Sequence, residues 1–488
     1  MECSLEMSWQ DVRNAFKAIW GYEDFRPPQG DVVRMLLSGQ DALVVMPTGG
    51  GKSICFQLPA LLQTGVTLVV SPLVALMENQ VQELQQRRQP AALLHSQLPT
   101  HQRRRILNAL ANQQLRLLYL SPETLLSQPV WERLQSPQLK INGLILDEAH
   151  CLVQWGETFR PAYRRLGAVR PALLQTRPAG TRMAIAAFTA TADPKAQQTI
   201  QQVLQLKQPQ RVQLSPYRPN LHLSVKMVWT PRGRRKQLQN FIHARRAQAG
   251  LVYVRTRKDS QQLATWLQSQ GYKTAAYHAG LSPEARRTLE QAWLRGKMAF
   301  VVCTSAFGMG INKPDARWVI HFHAPLLLSE YVQEVGRAGR DGQPAVALTL
   351  VSEPSGWLNP EDRQRRHFFR QQVRSQQQSA RALVRKLPTT GNIQTVMRQF
   401  QHGGLALAWL HSRGLLEWQD PFNYVMHASV PTQTPFKLSW APPDDTRLMT
   451  QYLATRQCRW QFLLRSFGLT AEAIDFRCNH CDSCIRKQ

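Results

Sequence analysis

Leu43-Val-Val45-Met-Pro-Thr48-Gly49-Gly-Gly51-Lys52-Ser53 is the stretch on which the fold turns. A short apolar run ends in glycines, a lysine and a hydroxyl, the pattern of a buried strand that passes through a phosphate-cradling loop into a helix. In such a loop Thr48, Gly49 and Gly51 let backbone N–H groups curl around phosphates, Lys52 reaches the β/γ oxygens and Ser53 ligates Mg²⁺. A strand-to-helix junction is also where an anion is best received. A second apolar run, Leu144 to Leu146, ends in Asp147-Glu148-Ala149-His150. Asp147 there closes a buried strand in position to hold Mg²⁺, and Glu148 can orient and activate the attacking water. The two segments predict one site for nucleotide hydrolysis.

Working outward, short apolar runs alternate with helix-like stretches: Leu43–Val45, Thr67–Val70, Leu117–Leu120, Leu144–Asp147 and Ala184–Phe188. Buried parallel strands joined by helices read this way. Ser215-Pro-Tyr-Arg-Pro-Asn220 interrupts the rhythm with two prolines and is read as a linker. The rhythm resumes with Leu251–Val254, Thr274–Tyr277, Phe300–Thr304, Trp318–Phe322 and Val346–Val351. The fold class is therefore α/β, with two tandem doubly wound parallel-sheet domains, the second lacking a phosphate loop of its own.

The chain has 488 residues and a formal net charge of +28, a length that calls for about three domains. Such an excess of Lys and Arg attracts polyanions, nucleic acid first, although basic proteomes also yield basic proteins. No apolar stretch approaches the roughly 20 residues of a membrane span, and the first residues lack a signal peptide's pattern. The expectation is a cytoplasmic protein with no membrane partner. Of the cysteines, Cys458, Cys478, Cys481 and Cys484 cluster near the end. In a reducing compartment that predicts metal rather than disulfides. Four thiolates suit tetrahedral zinc, with Cys458 supplied from a helix and His480 as the substitute ligand.

Arg363 to Arg385 is Arg/Gln-rich and reads as a solvated helix or helical linker, with DNA contact the lesser reading. Two helical runs then lead through Leu405–Leu410 and Gly414 into a hairpin that turns at Asp420-Pro421. Helices followed by a hairpin suggest a winged helix-turn-helix, or simply a small structural unit. The expected divisions are 1–214, 215–355, 356–435 and 436–488.

Thr189-Ala-Thr191 places hydroxyls where they can bond to neighbouring acidic side chains, or cap a helix. Gln333-Glu-Val-Gly-Arg337-Ala-Gly-Arg340 supplies two guanidinium groups from the second α/β unit. Arginines of this kind neutralise charge on a transferred γ-phosphoryl group. Lys52, Asp147, Glu148, Gln333, Arg337 and Arg340 are thus the catalytic candidates.

In this combination the chain resembles the RecQ family of superfamily 2 DNA helicases, from about Trp9 onward. Tyr22-Glu-Asp-Phe-Arg26-Pro-Pro-Gln29 is similar to the family motif ahead of the phosphate loop, which implies that Tyr22 stacks on adenine while Arg26 and Gln29 contact it. Cys151-Leu-Val-Gln154-Trp155-Gly-Glu157-Thr-Phe159-Arg160 resembles the aromatic-rich loop that senses single-stranded DNA and couples it to ATP turnover. Glu157 stands where the family usually has His. Trp155 and Phe159 suit base stacking, and Arg160 suits phosphate. Ser71-Pro-Leu73, Ser121-Pro-Glu123, Tyr253-Val-Arg-Thr256-Arg257, His278-Ala-Gly280 and Thr304–Asp315 also match, as segments lining the track for the DNA backbone, with Arg257 on phosphate. Val254 and His323 are minor departures.

The resemblance implies RecA-like domains, ATP, Mg²⁺ and Zn²⁺, and a monomer that moves 3′ to 5′ on single strands and opens forked duplex DNA. Recombination and repair, with single-strand-binding or recombination proteins as partners, follow from it as well. The family usually places a winged helix after the zinc module, whereas here Gln488 closely follows Cys484. The 388–430 segment is therefore expected to substitute, with its tip, Asp420–Asn423, and Tyr424 near the duplex junction. An RNA helicase and a strand-annealing protein with vestigial hydrolysis are the competing readings. The Gln154-Trp155 loop and the cysteines argue against the first, and the intact catalytic set against the second.

Overall fold

The computed structural model describes residues 7–47, 49–156, 160–308, 311–353, 355, 357–384, 386–427 and 444–486. The chain divides into two compact units, 1–214 with 375–436, and 215–374 with 437–488. Thr48, Glu157 and Phe159 lie outside the described residues, as do Met309 and Gly310 of the 304–315 motif.

The first unit is built on seven strands: β1 (Ala42–Val45), β2 (Val66–Val70), β3 (Ala91–Leu94), β4 (Leu117–Leu120), β5 (Ile141–Leu146), β6 (Ala184–Thr189) and β7 (Gln210–Gln213). They pair in the order β3-β4-β2-β5-β6-β1-β7, every pair parallel. Residues of β1, β2 and β4 are buried throughout, as a sheet covered on both faces requires. Because β5, β6 and β1 are consecutive and parallel, their C-terminal ends open on one edge. The phosphate loop, Asp147-Glu148 and Thr189 are thereby brought side by side. Asp41 secures the other end: it accepts two bonds from Arg170 Nη1 at 2.7 Å and one each from the amides of Ile185 (2.8 Å) and Lys207 (2.7 Å).

The second unit has β8 (Leu221–Val228), β9 (Ala249–Tyr253), β10 (Ala276–Tyr277), β11 (Phe300–Cys303), β12 (Ala316–His321) and β13 (Ala345–Ser352). The order is β10-β11-β9-β12-β13-β8, again all parallel. A long helix, Glu361–Val384, follows. Its first turn is tied down by Asp362, which accepts from Arg234 Nη2 at 2.8 Å and from Ser352 N at 2.7 Å.

The 444–486 region packs on this same unit. Trp460 Nε1 donates to Leu221 O at 3.2 Å, and Tyr452 OH donates to Tyr331 OH at 2.8 Å. Asp482 accepts from Val225 N at 3.0 Å and from Arg459 Nε at 2.6 Å, which occupies an amide of the edge strand β8.

The third sheet is antiparallel: β14 (Thr390–Asn392), β15 (Leu416–Trp418) and β16 (Asn423–Met426), in the order β14-β16-β15, with helices Ile393–Gln399 and Gly403–Ser412 between them. The helices and hairpin are those the sequence led us to expect; their seat is different. The turn expected at a duplex junction is packed on the first unit. Phe422 is buried and meets Trp131 edge-on at 5.6 Å, and Pro421 O accepts from Arg165 Nη1 at 3.0 Å. Tyr424 is also buried, its hydroxyl donating to Pro388 O at 3.2 Å. An apolar ring and a carbonyl at the turn thus find partners within the first unit.

Candidate nucleotide and nucleic-acid site

The phosphate loop takes its shape from glycines that carry positive φ: Gly49 at 87° and Gly51 at 74°, the latter capping the helix Lys52–Leu62. Lys52 thus starts a helix, with Ser53 next, as phosphate binding at a helix N-terminus requires. Lys52 Nζ donates to Met46 O at 3.2 Å. Gln29, expected on adenine, is buried and braces the loop: its Nε2 donates to Gly50 O at 3.1 Å while Oε1 accepts from Arg26 N at 3.0 Å. Tyr22 and Arg26 are exposed, with the Tyr22 ring 5.7 Å from that of Phe16.

Asp147 stands at the end of β5, its amide bonded to Val70 O at 2.9 Å. Burial and the neighbouring Glu148 push its carboxyl up to about 7, against the opposing pull of Lys52. A buried carboxylate of raised proton affinity, with Glu148 next to it and one lysine nearby, fits a divalent cation. Glu148 adopts a φ of 51°, rare for a residue with a side chain, and its Oε2 lies 3.3 Å from His150 Nδ1. That nitrogen is also 3.1 Å from Thr189 Oγ1. The Thr189 hydroxyl, expected to meet an acidic side chain, meets His150 Nδ1, the nitrogen that also faces Glu148. Burial lowers the His150 pKa, which favours a neutral imidazole. Gln80, unremarked in the sequence, places Nε2 at 3.5 Å from Asp147 Oδ2.

Gln154 and Trp155 end the helix His150–Trp155, and Arg160 N returns to Trp155 O at 3.0 Å, closing the base of the aromatic-rich loop. Arg160 itself departs from expectation. Its guanidinium is held by both Glu123 oxygens, at 2.9 and 2.5 Å, and by Pro72 O at 2.5 Å. A cation so paired joins the Ser71 and Ser121 segments to the end of the loop. That three-way joint could not be read from spacing, since its partners lie 37 and 88 residues away.

In the second unit, Gln333 lies on the helix Leu328–Val335, and Arg337 and Arg340 follow its end. Arg337 is buried against Gly308, where an added Cβ would come within 2.5 Å of the guanidinium. Arg340 Nη1 donates to Ile311 O and Asn312 Oδ1, both at 3.1 Å. Beneath them is a network the sequence did not announce: Glu334 Oε2 accepts from Arg255 Nη2 at 2.7 Å and lies 2.9 Å from His321 Nε2. Arg255 and His321 outweigh burial and hold the Glu334 carboxyl down at about 2. Arg257 begins the helix Arg257–Ser269, capped by Thr256, and lies against Gly280 of the His278-Ala-Gly280 turn.

The sulfur atoms of Cys458, Cys478, Cys481 and Cys484 all lie within 4.8 Å of one another. Zinc–sulfur bonds of about 2.3 Å in a tetrahedron place sulfurs about 3.8 Å apart, and Cys478 and Cys484 are 3.9 Å apart. Backbone amides donate to the cluster, Arg459 N to Cys481 Sγ and Cys478 N to Cys458 Sγ, each at 3.4 Å, which suits thiolates. Cys458 is the N-cap of the helix Arg459–Ser466. His480, the expected substitute, is not in this four-residue group; its Nε2 is 3.4 Å from Tyr217 OH.

Among the described residues no helix is long and apolar enough to cross a membrane. Residues 26–200 match the DEAD/DEAH box helicase family and 233–342 the helicase conserved C-terminal domain. The DEAD-box helicase Mss116 with single-stranded RNA and AMP-PNP shares the fold at a TM-score of 0.60 and 18% identity, over 71% of this chain and 74% of its own. The Mycobacterium smegmatis helicase Lhr, bound to single-stranded DNA and AMP-PNP, does so at 0.55 and 18%, over 91% of this chain and 61% of its own. At these identities the likeness shows the fold alone. The chain is 40% identical to the Haemophilus influenzae ATP-dependent DNA helicase RecQ over 71% of its own length and 54% of that protein's. It is 54% identical to the Synechocystis ATP-dependent DNA helicase RecQ over 98% of both. Sequence kinship along the whole length, on a fold that sets the phosphate loop beside Asp147-Glu148, shows that the chain belongs to the RecQ family of ATP-dependent DNA helicases.

Proposed function

We propose that this helicase couples ATP hydrolysis to 3′–5′ movement along single-stranded DNA and so opens forked duplexes. The observation that carries the reading is the convergence of Lys52, Asp147, Glu148, His150 and Thr189 at one edge of the first sheet. Tyr22 and Arg26 receive the adenine, and Gln29 sets the loop that Thr48, Gly49 and Gly51 form around the phosphates. Lys52 holds the β/γ oxygens, and Ser53 and Asp147 are the residues that would hold Mg²⁺. When bound, that ion neutralises phosphate charge. Glu148, held by His150, orients the attacking water, and Gln333, Arg337 and Arg340 serve the γ-phosphoryl group.

Gln154, Trp155 and Phe159 meet bases, Arg257 meets phosphate, and Arg160 holds the loop in shape. Cys458, Cys478, Cys481 and Cys484 would hold zinc, which as a structural ion fixes the last helices. A monomer acting on chromosomal DNA in the cytoplasm, in recombination and repair alongside single-strand-binding or recombination proteins, completes the reading.

The test is ATP turnover without nucleic acid, with single-stranded DNA and with RNA. Strong stimulation by DNA alone is expected, and equal stimulation by RNA would point to the other helicase class. Lys52→Ala should lose hydrolysis and unwinding but keep DNA binding.

A further inference from the structure

Residues 388–427 lie outside both matched family regions. Their seat is the stem of the aromatic-rich loop. From the Arg160 N to Trp155 O bond the chain runs directly into the 3₁₀ turn Pro161–Ala168. One side of that turn is pinned to the body, for a Cβ on Gly167 would strike Val203 O at 1.9 Å. The other side carries the helix Gly403–Ser412. A Cβ on Gly404 would touch Pro161 Cγ at 3.5 Å, Arg165 Nη1 is bonded to Pro421 O at 3.0 Å, and Phe422 closes on Trp131.

Arg164 joins loop and segment. Its Nε would lie 3.2 Å from a Cβ on Gly156, the residue after Trp155, and its charge bears on His411 of the inserted helix. Gly156, the stem and the segment are therefore continuous in packing, all within the first unit.

We propose that residues 388–427 form a positioning cap: by holding the Pro161–Ala168 turn they set the placement of Trp155 and Arg160, the two ends of the aromatic-rich loop, and so how strongly single-stranded DNA accelerates ATP turnover. The inference rests on the reading of that loop as the DNA sensor. A stem already fixed leaves less ordering cost when DNA arrives, so more of the interaction is available to drive the catalytic edge. Phe422 and Arg165 are positioning residues, since neither touches nucleotide.

The test uses the full chain with Phe422→Ala, Arg165→Gln and Phe422→Tyr. Basal ATPase, ATPase across an oligo-dT titration and oligo-dT affinity are measured for each. Phe422→Ala and Arg165→Gln should lower the DNA-saturated rate about tenfold while basal rate and affinity stay within about threefold, and Phe422→Tyr should restore it. Wild-type stimulation in both weakened variants, or an equal fall in basal and stimulated rates, overturns the cap. Trp155→Ala separates the two readings: if it loses stimulation while the cap variants keep theirs, only the cap fails. If it keeps full stimulation, the sensor reading fails and the cap with it.

Discussion

Single side chains decide whether this fold holds and whether its edge is reactive. Asp41 satisfies Arg170 and two backbone amides in a buried place. Removing its carboxylate leaves a buried guanidinium and two N–H groups without their acceptor. Asp41→Ala should therefore lower stability by about 3–5 kcal/mol in urea unfolding, well above a surface substitution. Glu334 makes a complementary case. Its folded pKa of about 2 lies below the ordinary 4.5. The stability this contributes is complete above 4.5 and drains away as pH falls towards 2. Unfolding of wild type should become easier across that window, and Glu334→Gln should flatten the dependence; an unchanged slope would show that the Arg255–Glu334–His321 network does not stabilise the fold.

Elements show what the sequence disclosed and what it withheld. Central strands such as Leu117–Leu120 were legible because burial on both faces demands uninterrupted apolar runs. Gln210–Gln213 and Leu221–Val228 escaped the same search. Each is an edge strand, the first polar and half exposed, the second alternating between buried and open positions. Ala91–Leu94, also at an edge, was hidden among helical segments. The phosphate loop, Asp147-Glu148 and the cysteines were legible because their chemistry is local. Arg160, Glu334 and the seat of Phe422 were not, since their partners come from distant chain segments.

The cysteine cluster carries its own prediction. Purified protein should hold one zinc ion, and its removal with a strong chelator should loosen the last helices, seen as faster proteolysis after residue 444. Full retention of structure without metal would remove the ion from the account.

At the scale of the whole molecule, a net charge of +28 supplies affinity for any polyanion. Charge alone does not discriminate; the proposed function assigns selectivity to the aromatic-rich loop and work to the arginines of the 333–340 segment. The proposed function depends on those arginines serving the γ-phosphoryl group. Its most direct test is ATP turnover by Arg340→Ala at saturating single-stranded DNA, with nucleotide and DNA binding measured alongside. The account predicts a loss of about 10³-fold or more with both bindings retained; turnover within a few-fold of wild type would contradict it.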